Sequence, residues 1–120
     1  MSDIKDVLTG LMGIGGALGC AVVDADSGMA LGTEGKGVDL ELAAAGNSEV
    51  VKAKMKTMDS LGIKGGIEDI LITLSDQIHI IRPSVSNKGL FIYLVLDRKV
   101  ANLALARRKT QDLELALTSV

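Results

Sequence analysis

Residues 13–29 read GIGGALGCAVVDADSGM, and the fold is decided there. Gly13, Gly15 and Gly16 stop whatever precedes them, because clustered glycines cap and break helices. Ala17 to Asp24 is a small and β-branched run, the composition of a strand. Asp24-Ala25-Asp26-Ser27-Gly28 then supplies turn chemistry: Asx and Ser side chains bond the local backbone, and glycine admits positive φ. Met29 to Thr33 returns, so residues 17–33 form a hairpin. The glycine cluster from Gly10 to Gly19 invites a phosphate-loop reading, which the order of elements rejects. Phosphate loops run strand, loop, helix; this one runs helix, loop, strand. No Gly-Lys-Ser/Thr follows it, and the G-x-G-x-x-G spacing is absent.

Upstream, Ile4, Val7, Leu8, Leu11 and Met12 recur at helical spacing, with Ser2 or Asp3 as the cap. Downstream, Glu34 to Gly37 is a loop and Asp39 caps a second helix. Leu40, Ala43, Ala44, Asn47, Val51, Met55 and Met58 form the buried stripe of that helix, and Gly62, Gly65 and Gly66 close it. Three strands follow: Ile67 to Ser75, Gln77 to Arg82 before Pro83, and Gly89 to Leu96. The last is apolar on both faces, as expected of a central strand covered on both sides. Asp97 is placed to cap a final helix whose buried stripe is Val100, Leu103, Ala106, Leu113 and Leu117. Arg98, Lys99, Arg107, Arg108 and Lys109 form its polar side. The order is α-β-β-α-β-β-β-α. Short turns make the strands antiparallel, so the class is α+β, a five-stranded antiparallel sheet covered by helices.

At 120 residues, one domain spanning residues 1–120 is expected. A hydrophobic content of 48% argues against disorder. One Phe, one Tyr and no Trp leave few rings for base stacking, and a net charge of −2 gives no pull toward phosphates, so nucleic acid is a poor partner. The single cysteine excludes an internal disulfide and fits a reducing compartment. Ala17-Leu18-Gly19-Cys20 has the outline of a lipoprotein cleavage site, but Asp3 and Asp6 outweigh Lys5 where a leader should be positive. The longest later apolar run, Leu90 to Leu96, is far too short to span a bilayer. The expectation is a cytoplasmic protein.

Chemistry-bearing residues are few. His79 lies between Ile78 and Ile80 and reads as a half-buried strand histidine, without neighbours that could complete a metal site. Cys20 and His79 are the only conceivable nucleophile and base, with no orienting third group, and a buried core cysteine is the simpler reading. Asp24, Asp26 and Ser27 fall short of the six to eight oxygens of a Ca²⁺ site. No metal, cofactor or catalytic residue is expected. The second helix stands apart: Leu42, Ala45, Gly46, Glu49, Val50 and Ala53 lie off its core stripe. A mid-helix glycine costs about 1 kcal/mol relative to alanine, which close approach of another helix would offset.

The chain resembles the Roadblock/LC7 family over nearly its whole length. Gly13 to Asp24 is similar to the family's glycine-rich entry into its first strand, Ser27-Gly28-Met29 to its hairpin turn, and Ala101-Asn102-Leu103-Ala104-Leu105-Ala106-Arg107 to the opening of its last helix. The small-residue second helix resembles the family's dimer helix, although its Ala-rich face with the polar Asn47 departs from the pattern. The resemblance implies a profilin-like sandwich and a homodimer of the bacterial stand-alone type. In such a dimer, Ile70, Ile72 and Leu74 pair with their twins in one continuous sheet, and the second helices lie side by side. It also implies a small Ras-like GTPase as partner, in a signalling or polarity system, with a scaffold or regulator rather than an enzyme as the function. Arg107 and Arg108 are the nearest candidates for partner contact. The residues give their own reason for self-pairing: an apolar edge from Ile70 to Leu74 carries neither Pro nor Lys to protect it. The alternative is a sensory α/β domain that binds a small apolar ligand, for which the core strands offer no polar anchor.

Overall fold

The computed structural model describes residues 2–119. Its elements run β1 (Ser2–Asp3), α1 (Ile4–Met12), β2 (Ala17–Asp24), β3 (Met29–Gly35), α2 (Leu40–Ser60), β4 (Ile70–Thr73), β5 (Gln77–Pro83), β6 (Leu90–Asp97), α3 (Leu103–Ala116) and β7 (Leu117–Ser119). The main sheet has five strands in the order β3-β2-β6-β5-β4, every neighbour pair antiparallel. This is the expected α+β architecture.

The local chemistry explains the boundaries. Asp3 caps α1 in a reciprocal capping box with Asp6, and the Asp39 carboxylate accepts from the Leu42 amide at the start of α2. In the β2–β3 turn, Asp24 accepts from the Asp26 amide at 3.1 Å and the Ser27 hydroxyl at 3.0 Å. Gly28 takes φ +74° there, a conformation that L side chains avoid. These bonds occupy both oxygens of Asp24 within the turn.

Two cores flank the sheet. On one face α1 and α3 cover Cys20, Val22, Ile78, Ile80, Ile92, Leu94 and Leu96; on the other, α2 covers Ala21, Val23, Ile81, Phe91, Tyr93 and Val95. The alternation along β2, β5 and β6 sends successive side chains to opposite faces. The double burial of β6 agrees with its all-apolar sequence.

Several expectations need correction. β4 is shorter than the expected run from Ile67 to Ser75, spanning Ile70–Thr73, and Glu34 and Gly35 belong to β3 rather than to a loop. Asp97 does not cap α3. It ends β6 and folds into its own turn, accepting from the Lys99 amide at 3.0 Å, while Asn102 caps α3 by accepting from Leu105. Val100 therefore sits outside the helix and is exposed, and Arg98 and Lys99 belong to the turn. Leu117 is fully buried but lies in β7, which pairs in parallel with β1. Met55 is exposed, as are its neighbours from Lys52 to Thr57 in the second half of α2.

Candidate functional site

The site grows from the far edge of the sheet. β4 hydrogen-bonds to β5 on one side only and closes the order of strands. The Leu74 amide donates to the Gln77 carbonyl at 2.8 Å across the β4–β5 turn. Antiparallel ladders alternate bonded and non-bonded pairs, so Ile72 opposite His79 and Ile70 opposite Ile81 are the bonded pairs. The amides and carbonyls of Leu71 and Thr73 therefore point out of the sheet. Ile70 and Ile72 are half-buried on the α2 face, while Leu71 and Leu74 are exposed. The edge carries no proline, lysine or bulge within Ile70–Thr73, the devices by which edges are usually blunted.

α2 packs on β2 and β3, on the opposite half of its face from β4. Ala44, Ser48 and Val51 mark its buried side. At 3.6 residues per turn, Ala45 and Lys52 lie on the flank over the β2–β3 turn. A Cβ on Gly28 would come within 3.4 Å of the Ala45 Cα, and the Lys52 ammonium donates to the Asp26 carbonyl. Ala45 thus faces the hairpin of its own chain. Ala43, Asn47 and Val50 lie on the other flank, away from that turn, with Asn47 beside Tyr93 of β6. Leu42, Gly46, Glu49 and Ala53 point away from the sheet and are exposed. A Cβ on Gly46 would meet nothing within 4 Å, so nothing inside this chain requires glycine there.

Between that flank and β4 runs a polar chain that sequence reading does not assemble. The Tyr93 hydroxyl lies 3.0 Å from His79 Nδ1, and His79 Nε2 lies 2.9 Å from Gln77 Oε1. The Gln77 oxygen can only accept, so Nε2 carries a proton; in the neutral imidazole Nδ1 then accepts from the Tyr93 hydroxyl. Burial lowers the His79 pKa, which favours the same state. Asn47 donates to the Ala43 carbonyl and sits beside the Tyr93 hydroxyl, whose pKa burial raises. The polar Asn47 in the apolar stripe of α2 is thereby explained.

Cys20 and His79 do not meet. Cys20 belongs to the core under α1 and α3, whereas His79 contacts Tyr93 in the core under α2. They stand on opposite faces of the sheet, and a nucleophile–base pair is ruled out. The Cys20 thiol is fully buried and pushed up to about 12, first by burial and then by the Glu34 carboxylate. At pH 8 roughly one molecule in ten thousand carries the thiolate. The native protein is expected not to react with Ellman's reagent over an hour and to release one equivalent on unfolding in urea. Native labelling within minutes would contradict this burial.

On the face under α3, Arg107 is committed within its own chain. Its guanidinium grips Asp69 with both arms, at 2.8 and 3.1 Å. Among the described residues the neighbouring Arg108 makes no ion pair within 4.0 Å. Both line an open groove of about 410 Å³ with Glu68, Arg82, Gln111 and Asp112. No group of three or more His, Cys, Asp or Glu among the described residues is placed to hold a metal. No described helix is long and apolar enough to cross a membrane.

No family model matches the chain, and no curated protein matches its sequence. Solved structures do. A Roadblock/LC7 domain from Streptomyces avermitilis is 15% identical, covers 96% of this chain and 94% of its own, and superposes with a TM-score of 0.82. The gliding protein MglB from Thermus thermophilus is 17% identical over 95% of this chain and 84% of its own, also at 0.82. Myxococcus xanthus MglB is 14% identical over 94% and 92%, at 0.78. An MglB structure with a tetrameric arrangement matches at 0.82 as well. At such identities the likeness is one of architecture, and it agrees with the element order, the strand order and the placement of the helices: this chain has the Roadblock/LC7 fold.

Proposed function

We propose that the protein is a non-enzymatic, homodimeric platform that binds a small Ras-like GTPase and changes its nucleotide cycle in a signalling or polarity system. The observation that carries the proposal is the β4 edge. Two outward-facing main-chain positions, Leu71 and Thr73, flank half-buried Ile70 and Ile72 on an unprotected strand. Self-pairing across a two-fold axis satisfies those groups and extends the sheet to ten strands. It also brings the second α2 toward Ala43, Asn47 and Val50, with Leu42, Gly46, Glu49 and Ala53 presented outward along the helix pair. Gly46, whose Cβ position is open in the single chain, belongs to that outward surface. The likeness to MglB structures, one of them in a tetrameric arrangement, supports self-association.

A platform without chemistry of its own acts by binding one nucleotide state better than the other. The test is single-turnover GTP hydrolysis and labelled-GDP release by Ras-like GTPases of the source organism, with and without stoichiometric protein. The expected result is a change of about tenfold or more in one of the two rates, equivalent to about 1.4 kcal/mol in that step's barrier. Unchanged rates, with no binding to either nucleotide state, would remove the GTPase from the proposal.

A further inference from the structure

Asp69 stands one residue before the edge strand and is almost completely buried at its side chain. Continuing the β4–β5 register by one step places it opposite Arg82, whose Nη1 lies 3.8 Å from the Asp69 carboxylate. From above, Arg107 of α3 forks onto both oxygens of the same carboxylate, across 38 residues of sequence. Arg82 is itself buried, and its Nε has no hydrogen-bond partner. The fully buried Glu114 of α3 carries the complementary orphan, Oε1. The other Glu114 oxygen accepts from the Ser84 hydroxyl and the Val85 amide, just beyond the end of β5. Two arginines, one from β5 and one from α3, thus share a single buried carboxylate at the start of the edge strand. Removing Asp69 leaves the buried Arg82 without its ion-pair partner.

We infer that this cluster is a positioning device for the edge strand: Asp69, gripped by Arg107, fixes where β4 begins and how it is presented to a second copy of the chain. The inference rests on the proposed self-pairing through β4. β4 is four residues long, with no covalent or helical support on its outer side, and residues 61–66 before it are all exposed. The Arg107–Asp69 fork is the first tertiary anchor after that segment. A two-armed guanidinium restrains orientation as well as position, which a lysine ammonium cannot do.

The test compares Arg107→Ala, Arg107→Lys and Asp69→Asn with Arg108→Ala as the control on the same groove. Two quantities are read: the dimer dissociation constant by sedimentation, and amide exchange along β4. Arg107→Ala and Asp69→Asn are expected to weaken the dimer by about tenfold or more. Arg107→Lys should fail to restore the affinity, and Arg108→Ala should behave as wild type. Exchange at Leu71 and Thr73, whose amides are covered only by a partner, should accelerate in step with the loss of affinity. A dimer constant for Arg107→Ala equal to that of Arg108→Ala, whatever happens to the melting temperature, would overturn the inference. Should wild type itself be monomeric, the self-pairing proposal fails and the anchor is read alone. Arg107→Ala must then speed exchange at Ile70 and Ile72 by about tenfold while leaving Leu94 in β6 unchanged. Equal rates at Ile70 and Ile72 would overturn the anchor.

Discussion

Replacing Thr73 by proline is expected to turn a dimer into a monomer at micromolar concentration while leaving the fold intact. The choice of position follows from the register. Thr73 is exposed, and its amide points away from β5, whereas Ile70, Ile72 and Leu74 hold the ladder. Proline removes an N–H that only a partner strand can use, and edge strands tolerate proline on that side. A two-fold interface loses the bond twice. At about 1 kcal/mol per main-chain hydrogen bond, with the ring obstructing the approach as well, the association constant should fall roughly thirty- to a hundredfold. Proline at Ile72, the centre of the apolar run, is the wrong probe: it breaks the bond to His79 and unzips the chain's own sheet. Light scattering gives the mass and thermal unfolding the integrity of the fold. A Thr73→Pro protein that stays dimeric would place the interface elsewhere, with the β3 edge and its exposed Met29 and Leu31 the next surface to examine.

The second large effect belongs to the core. Leu94 lies in the middle of the central strand, with no exposed surface, packed under α1 and α3. Truncation to alanine removes its buried methyl groups and leaves a cavity that a strand bonded on both sides cannot collapse into. The expected loss is about 3 kcal/mol, within the usual range for buried leucines. Val85, exposed in the β5–β6 loop, is the matched control, and alanine there should change stability by roughly 0.5 kcal/mol or less. Urea titration of both variants separates the two. A cost below about 1 kcal/mol at Leu94 would mean that the layer of α1 and α3 does not close over the sheet as described.

The parts of the fold legible in the sequence are those fixed by short-range chemistry. Asp39 caps its helix through the nearest amides, the Asp24–Gly28 turn closes on its own side chains, and the apolar run from Leu90 to Leu96 announces a strand buried on both faces. Misreadings arise where two local solutions compete. Asp97 and Asn102 are both good caps, and Asp97 instead bonds Lys99 in a turn, which moves the helix start to Leu103. Leu117 fits the helical period, yet it joins a three-residue strand whose partner, Ser2–Asp3, is too short to carry any pattern.

For the candidate site, the sequence points to one strand and one helix but not to the directions in which their side chains face. Ala45 reads as a contact residue for another helix and faces the turn at Gly28; Asn47 reads as out of place and neighbours Tyr93. Arg107 reads as one cation of a solvated face because nothing in the chain within 38 residues announces its grip on Asp69. Such pairs are set by topology, and periodicity along one element does not register them.

The most direct test of the account is an isotope-filtered NOE experiment on an equimolar mixture of labelled and unlabelled protein. The shared-sheet platform predicts intermolecular contacts between the backbone protons of Leu71 and Thr73 and the same strand of the partner, with further contacts between the Val50 side chains and the facing copy. Intermolecular contacts confined to another surface, or none at millimolar concentration, would contradict it.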